Sequence, residues 1–269
     1  NPTLVPYFQT SRAVNMNTLK KENIQGKLIF IPDFDKLKEL ALNYEYIPAD
    51  SSRTGSLKVI DIKTGALVPR GRLKVEAIFA NQPGLKIVIP STPYDAKGLL
   101  KAAIRDDDPV MFFEHKRAYR LIKGEVPDDD YTIEIGKADV KREGEDITVI
   151  TYGLAVHFAL QAAERLEKDG ISTHILDLRT IYPLDKDSII EAASKTGKVL
   201  LVTEDNKEGS VISEVAAIIA ENCLFDLDAP IMRLAGPDVP AMPYAPTMEK
   251  FFMINPDKVE KAMRELAEY

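Results

Sequence analysis

The densest run of chemistry-bearing side chains in this sequence is Asp106-Asp107-Asp108, closed by Pro109. It follows directly on a stretch, Asp95–Arg105, that reads as a helix. A helix C-terminus carries about half a negative charge. Acids there are unfavourable by about 0.3–1 kcal/mol each, and lysine or arginine is the ordinary choice. Three carboxylates beside unpaired main-chain carbonyls form a set of oxygen ligands suited to a hard cation. On pattern alone the same run also reads as a solvated acidic turn.

The remaining candidates are isolated residues. His115 follows an apolar strand carrying Phe112 and Phe113 and precedes Lys116 and Arg117, which reads as a surface or packing histidine. His157 falls in the first turn of a helix and His174 inside a strand. Neither has a neighbouring serine, cysteine or acid pair of the kind a nucleophilic triad needs. Ser210 follows Gly209 at a strand-to-helix turn. Helix N-termini bind anions there, but capping is the commoner role of such a serine. Cys223, at a helix end with no base beside it, reads as a buried thiol.

Alternating strands and helices must position these residues. Ile147–Tyr152 is an apolar run closed by Gly153, after which Val156, Ala159, Leu160, Ala163 and Leu166 recur at helical spacing up to Gly170. Thr173–Leu178, Val199–Thr203 and Ile231–Leu234 read as further strands, and Asp185–Thr196, Val211–Glu221 and Asp257–Ala267 as further helices. Short strands separated by helices imply a mostly parallel sheet with helices on both faces. Upstream, Leu85–Ile89 and Val110–Glu114 read as strands. Thr92-Pro93-Tyr94-Asp95 is a helix start with a capping threonine, a proline at the first position and an acid where a capping box has one. Lys123–Tyr131, with Pro127, reads as a loop.

The first 74 residues have another character. Leu28–Ile31 and Leu57–Ile62 read as strands and Asp35–Leu42 as a helix, a small α/β unit. Leu67-Val68-Pro69-Arg70-Gly71 reads either as an exposed proline turn or as a thrombin-type recognition string of the kind used in engineered fusions, with Arg72 where a serine is usual.

Composition narrows the function classes. A hydrophobic share of 45% and a charged share of 29% suit a globular protein. No apolar run reaches the roughly 18 residues of a membrane helix, and no secretory signal pattern opens the sequence. Cys223 is the sole cysteine, which excludes an intrachain disulfide and fits a reducing, cytoplasmic location. A net charge of −7 disfavours nucleic acid and favours a basic partner.

From Val75 onward the sequence resembles the beta subunit of the thiamine-diphosphate-dependent 2-oxo acid dehydrogenases, most closely the branched-chain type. The blocks that carry the likeness are VEAIFANQPGLKIVIPSTPYDAKGLLKAAIRDDDPVMFFEHKRAYR, IGKADVKREGEDITVITYG, LDLRTIYPLDKDSIIEAASKTGKVLLVTED and LAGPDVPAMPYAPTMEKFF. The resemblance implies an α/β fold. A truncated pyrimidine-binding domain, residues 75–135, precedes a transketolase C-terminal-type domain, residues 136–269. It leaves residues 1–74 unassigned, as an insertion or as one half of a chimera. It implies thiamine diphosphate held at the interface with an alpha subunit, decarboxylation of a branched 2-oxo acid, and acyl transfer to a lipoyl acyltransferase core.

The resemblance also implies a potassium ion at the acidic turn. Its ligands would be main-chain oxygens of Ala103 and Ile104 and oxygens of Asp106 and Asp108. It implies that the C-terminal domain docks on a small basic domain of the acyltransferase, for which Asp226, Asp228 and Glu268 are the acidic candidates. It breaks at Lys74/Val75. The family's cofactor-protonating glutamate and its histidine belong upstream of that point, and residues 1–74 contain no histidine. The Gly-Asp-Gly diphosphate motif of the alpha subunit is also absent. No catalytic residue carries over, so the chain alone is expected to be inactive.

Overall fold

The computed structural model describes residues 79–238 and 245–269 and, upstream, the strand segments 3–6, 28–31, 42–47 and 56–61. The upstream strands belong to one compact unit and the two long stretches to another. In the first, β1 (Thr3–Pro6) pairs antiparallel with β2 (Leu28–Ile31), and β3 (Leu42–Ile47) pairs antiparallel with β4 (Ser56–Asp61). β2 and β4 fall on the two strands expected there. The helix expected over Asp35–Leu42 lies outside the described residues up to residue 41, and Leu42 opens β3. The Leu67–Gly71 string and the Lys74/Val75 break also lie outside the described residues.

The second unit has two sheets. β5 (Lys86–Val88) and β6 (Val110–Phe112) are parallel and are joined by helix α1 (Pro93–Arg105). The short α2 (Ala118–Leu121) and a loop follow. The larger sheet contains β7 (Asp139–Arg142), β8 (Ile147–Thr151), β9 (Thr173–Asp177), β11 (Val199–Asn206) and β12 (Met232–Gly236), in the order β12-β11-β8-β9-β7. Its pairings are parallel except at the edge, where β7 runs antiparallel to β9. β10 (Thr180–Tyr182) leaves the larger sheet altogether and pairs antiparallel with β5. The smaller sheet therefore has the order β10-β5-β6.

Helices α3 (Leu154–Glu167) and α7 (Pro256–Ala267) cover one face of the larger sheet, and α4 (Lys186–Thr196) and α5 (Val211–Asn222) the other. α6 (Pro246–Phe252) precedes α7. The alternation along β11 shows how one strand feeds both cores. Leu200 and Val202 pack with α3 and α7, while Val199 and Leu201 pack with α4 and α5. All five residues of β8 are buried, as expected for a central parallel strand. Its two threonines are satisfied internally, with Thr148 Oγ1 donating to the Ala192 carbonyl at 2.7 Å and Thr151 Oγ1 to that of Val202 at 2.9 Å. Burying each large aliphatic side chain contributes about 1.5–3 kcal/mol, so these two layers hold the unit together.

Local signals set the helix ends. Thr92, Asp185 and Asn255 cap α1, α4 and α7 by accepting from backbone N–H groups three residues on. Gly197 ends α4 at φ 63°, the left-handed conformation that costs glycine little. Ser210 stands at the N-cap position of α5 but makes no side-chain cap bond. Its hydroxyl reaches the Lys207 carbonyl at 3.4 Å instead. The expected division near residue 135 is not a gap in the packing. β10 completes the upstream sheet, and Ile87, Ile89 and Met111 share a core with Leu176, Leu178, Ile181 and α4 and α5.

Candidate functional site

The most concentrated polar chemistry lies where the two sheets meet. After β9 the chain crosses from one sheet to the other through Leu178 and Arg179, and Arg179 takes φ 53°, which side-chain-bearing residues rarely adopt. Its carbonyl accepts from the Ile89 N–H at 2.8 Å, and its own N–H donates to Asp177 Oδ1 at 3.1 Å. Opposite, Ser91 and Thr92 lead from β5 into α1, whose first turn presents Asp95. From the edge comes β7, whose register shifts between Val140 and Arg142. A bulge re-aims the residue it displaces, and here that residue is Lys141.

These elements close an ion cluster. Lys141 Nζ lies 2.8 Å from Asp95 Oδ2, 2.7 Å from Asp139 Oδ2 and 3.8 Å from Asp177 Oδ2. Arg179 Nη2 lies 2.6 Å from Asp95 Oδ1 and 2.8 Å from Asp139 Oδ2. Ser91 Oγ donates to Asp177 Oδ2, and Thr92 Oγ1 donates to Asp95 Oδ2 at 2.6 Å. Asp95 and Asp177 are both 0% exposed. Burial pushes Asp95 up, but the bonds from Lys141 and Thr92 and the charges of Lys141 and Arg179 outweigh it and hold its carboxyl below the ordinary value. For Asp177 burial wins over the Ser91 bond and the Lys141 charge, and its pKa rises to about 6. Burial works against the Lys141 ammonium, yet bonds to Asp139 and Asp95 leave its pKa raised. Three carboxylates share two cations, so the cluster clamps α1 to β7 and β9 while favouring a proton on Asp177. The capping-box acid expected at Asp95 thus serves the cluster.

The acidic turn is differently engaged. Asp106 is the C-cap of α1, and Asp108 N–H donates to Asp106 Oδ1 at 2.9 Å. Between the carboxylates lies the ammonium of Lys86, 2.8 Å from each Asp106 oxygen and 3.1 Å from Asp108 Oδ2. Of the four residues expected to hold potassium, Ala103, Ile104, Asp106 and Asp108, the two aspartates have their carboxylates engaged by Lys86.

The three docking candidates share one end of the larger sheet. Asp228 N–H donates to the Gly197 carbonyl at 2.8 Å, and Lys198 Nζ, one residue on, donates to the Ala267 carbonyl at 3.2 Å. Asp226 accepts from Ser194 Oγ at 2.7 Å. Asp226, Asp228 and Glu268 are exposed. Phe225, between the acids and the buried Cys223, is 99% exposed.

The histidines are committed to protein partners. His115 Nε2 meets Glu204 Oε2 at 2.8 Å, His157 Nε2 meets the Ser91 carbonyl at 2.7 Å, and His174 Nδ1 meets Glu143 Oε2 at 3.3 Å. His115, read as a packing residue, thus tethers the segment after β6 to the end of β11. Burial raises the Cys223 thiol, consistent with an inert side chain. The resemblance places thiamine diphosphate at an interface with an alpha subunit and its protonating glutamate and histidine upstream of residue 75, so none of these three histidines is assigned to it.

The ion cluster escaped sequence reasoning because Lys141 and Ser91 are 46 and 86 residues from the carboxylates they hold. The one available signal was a charged residue inside an apolar strand, Asp177, which burial obliges to find partners.

Residues 136–259 match the C-terminal domain of transketolase, and residues 72–122 match the transketolase pyrimidine binding domain. From residue 72 onward the chain belongs to the transketolase-like, thiamine-diphosphate family. Over 195 residues it is 86% identical to 2-oxoisovalerate dehydrogenase subunit beta of Bacillus subtilis (strain 168), covering 72% of this chain and 60% of that protein. It is 50% identical over 192 residues to the pyruvate dehydrogenase E1 component subunit beta of the same strain, covering 71% and 59%. The corresponding subunit of Staphylococcus aureus (strain Mu50 / ATCC 700699) is 46% identical over the same length and coverage. The chain thus spans about three fifths of the length of these curated relatives. A solved split-gene transketolase, an inactive beta4 tetramer, shares the fold with a TM-score of 0.58 at 23% identity, over 71% of this chain and 60% of that one.

Proposed function

We propose that the region from residue 75 derives from the beta subunit of the decarboxylating component of a branched-chain 2-oxo acid dehydrogenase. The supporting observation is the contrast between 86% identity to the 2-oxoisovalerate enzyme and 50% to the pyruvate enzyme of one organism. In that role the subunit works in the cytoplasm. It pairs with an alpha subunit as a heterotetramer, shares thiamine diphosphate with it, and passes the acyl product to the lipoyl acyltransferase core. The cofactor supplies the carbanion chemistry, and the protein supplies placement and electrostatics. Asp226, Asp228 and Glu268 form the acidic face toward the basic domain of that core.

A second reading is supported by the break before residue 75, upstream of which the family's glutamate and histidine belong, and by the absence of any histidine from residues 1–74. This chain would then be a non-catalytic remnant or chimera that keeps the assembly and docking surfaces. A thiamine diphosphate and magnesium titration with the alpha subunit present separates the two. Saturable binding with decarboxylation of a branched 2-oxo acid supports the enzyme. Absence of binding supports the remnant. The chain alone is expected to show no turnover, since each acid–base group lost removes on the order of 10²–10⁴ in rate.

A further inference from the structure

Helix α7 sorts its charges. Its first two acids are taken by arginines, with Asp257 and Glu260 at 2.8 and 2.9 Å from Arg165 Nη1 and Glu260 at 3.0 Å from Arg264 Nη2. Its lysines are left over. Lys258 and Lys261 stand three residues apart and so on one side of the helix. With Lys250 of α6 they line an open groove of about 450 Å³, within the range of about 300–1,000 Å³ usual for small-molecule sites. Among the described residues none of these three ammonium groups makes an ion pair. Lys258 Nζ donates instead to the main-chain carbonyls of Phe251 and, at 2.8 Å, Met253. An ammonium has three N–H donors, so one is left for a ligand. Burial lowers the Lys258 pKa, and no carboxylate opposes it.

The groove also has an aromatic wall. Phe251 is 79% exposed. The Lys258 ammonium lies over its ring, 5.6 Å from the centroid, which leaves the opposite face to a ligand. Thr247 and the first turn of α7, capped by Asn255, complete the lining. The positive end of a 12-residue helix therefore adds to the lysines. Asp257 is the one carboxylate on the lining, and Arg165 engages it.

We propose that this groove between α6 and α7 binds a nucleoside diphosphate, with Lys250, Lys258 and Lys261 holding the phosphates and Phe251 stacking on the base. Lysines bind phosphate as point charges and need no fixed fork geometry. Several unpaired cations beside an exposed ring suit a ligand that is multiply charged at one end and flat and aromatic at the other. A bare anion would use the lysines and leave Phe251 in water.

Titration calorimetry of the full chain with ADP, pyrophosphate and adenosine, in magnesium-free buffer at low salt, tests this. ADP should bind saturably and more tightly than either of its parts. Lys250→Gln and Lys261→Gln, both at exposed positions that the fold tolerates, should each weaken ADP and pyrophosphate about tenfold, the loss expected for a hydrogen bond to a charged group. Phe251→Ala should weaken ADP about fivefold or more by removing the stacked base, and should leave pyrophosphate unchanged. Pyrophosphate bound as tightly as ADP would overturn the proposal, because the groove would then hold a bare anion only. Absence of ADP binding, or ADP binding indifferent to the lysine substitutions or to Phe251→Ala, would overturn it as well.

Discussion

Arg179 Nη2 lies 2.6 Å from Asp95 Oδ1, which ties a residue in a left-handed conformation to the first turn of α1. The unfavourable backbone geometry, worth roughly 1–3 kcal/mol at such positions, persists because the guanidinium is held by two carboxylates at once. Arg179→Met would keep the backbone strain and leave Asp95 and Asp139 sharing Lys141. Breaking a buried pair from one side costs about 3–5 kcal/mol. Urea unfolding at neutral pH should show a loss of that order. A loss below about 1 kcal/mol, the range of a surface pair, would show that the cluster does not clamp the helix.

The cluster also sets a pH dependence. The Asp177 pKa, about 6 in the folded protein, lies above the ordinary aspartate value near 3.9. The folded state therefore binds the extra proton more tightly than the unfolded chain. The contribution of Asp177 grows as pH falls from 7 toward 4, by roughly 3 kcal/mol at most. His174, whose pKa burial lowers, works in the opposite direction. Comparing the protein with Asp177→Asn cancels that histidine. The stability gap between the two should change in favour of the unaltered protein between pH 7 and pH 5. Parallel stability curves would place the Asp177 pKa near its ordinary value.

Gly98 in α1 faces the loop after residue 130. A Cβ there would stand 2.6 Å from Ile133 Cγ1 and 2.9 Å from Tyr131 Cε2. Alanine improves helix propensity by about 1 kcal/mol, but overpacking costs about 1–3 kcal/mol, and Ile133 is buried with Leu99 and Val88. Gly98→Ala should therefore destabilise. Ile133→Val in the same chain should restore part of the loss in thermal melts. A stabilised Gly98→Ala would mean the loop yields freely.

The proposed docking face offers two separable contributions. Asp228→Lys should weaken binding to a small basic lipoyl-acyltransferase domain about tenfold at low salt. The difference should shrink toward 1 M salt as the Debye length falls from about 10 Å to about 3 Å. Phe225→Ala should weaken binding at both ionic strengths, because an exposed aromatic anchor acts by burial. Indifference to both substitutions would put the docking face elsewhere, with titration calorimetry as the measure.

What was legible from sequence follows from how local each signal is. The helix after Gly153 was readable because Val156, Ala159, Ala163 and Leu166 fall at helical spacing, and all four are buried. The start of α1 was readable because Thr92, Pro93 and Asp95 act within one turn. β10 was not, since three residues only two positions beyond β9 look like its continuation, and the left-handed Arg179 turns them into the other sheet. β7 was hidden by its charges, Asp139, Lys141 and Arg142, which suit an edge but not an apolar template. The acidic turn was visible as chemistry, but its counter-ion was not. Lys86 drew no reading of its own within the strand expected over Leu85–Ile89, and only the pairing of β5 with β6 brings it to Asp106.

The exchange of β10 bears on where this molecule can be taken apart. The two regions that match separate domain families are stitched by a strand encoded in one and hydrogen-bonded in the other. A cut in the loop between α2 and β7 would leave β5 with an unpaired edge on one fragment and β10 as its free complement on the other. Such fragments carry the address of their own reassembly, and the boundary between the two families is a seam in the sequence without being a seam in the solid.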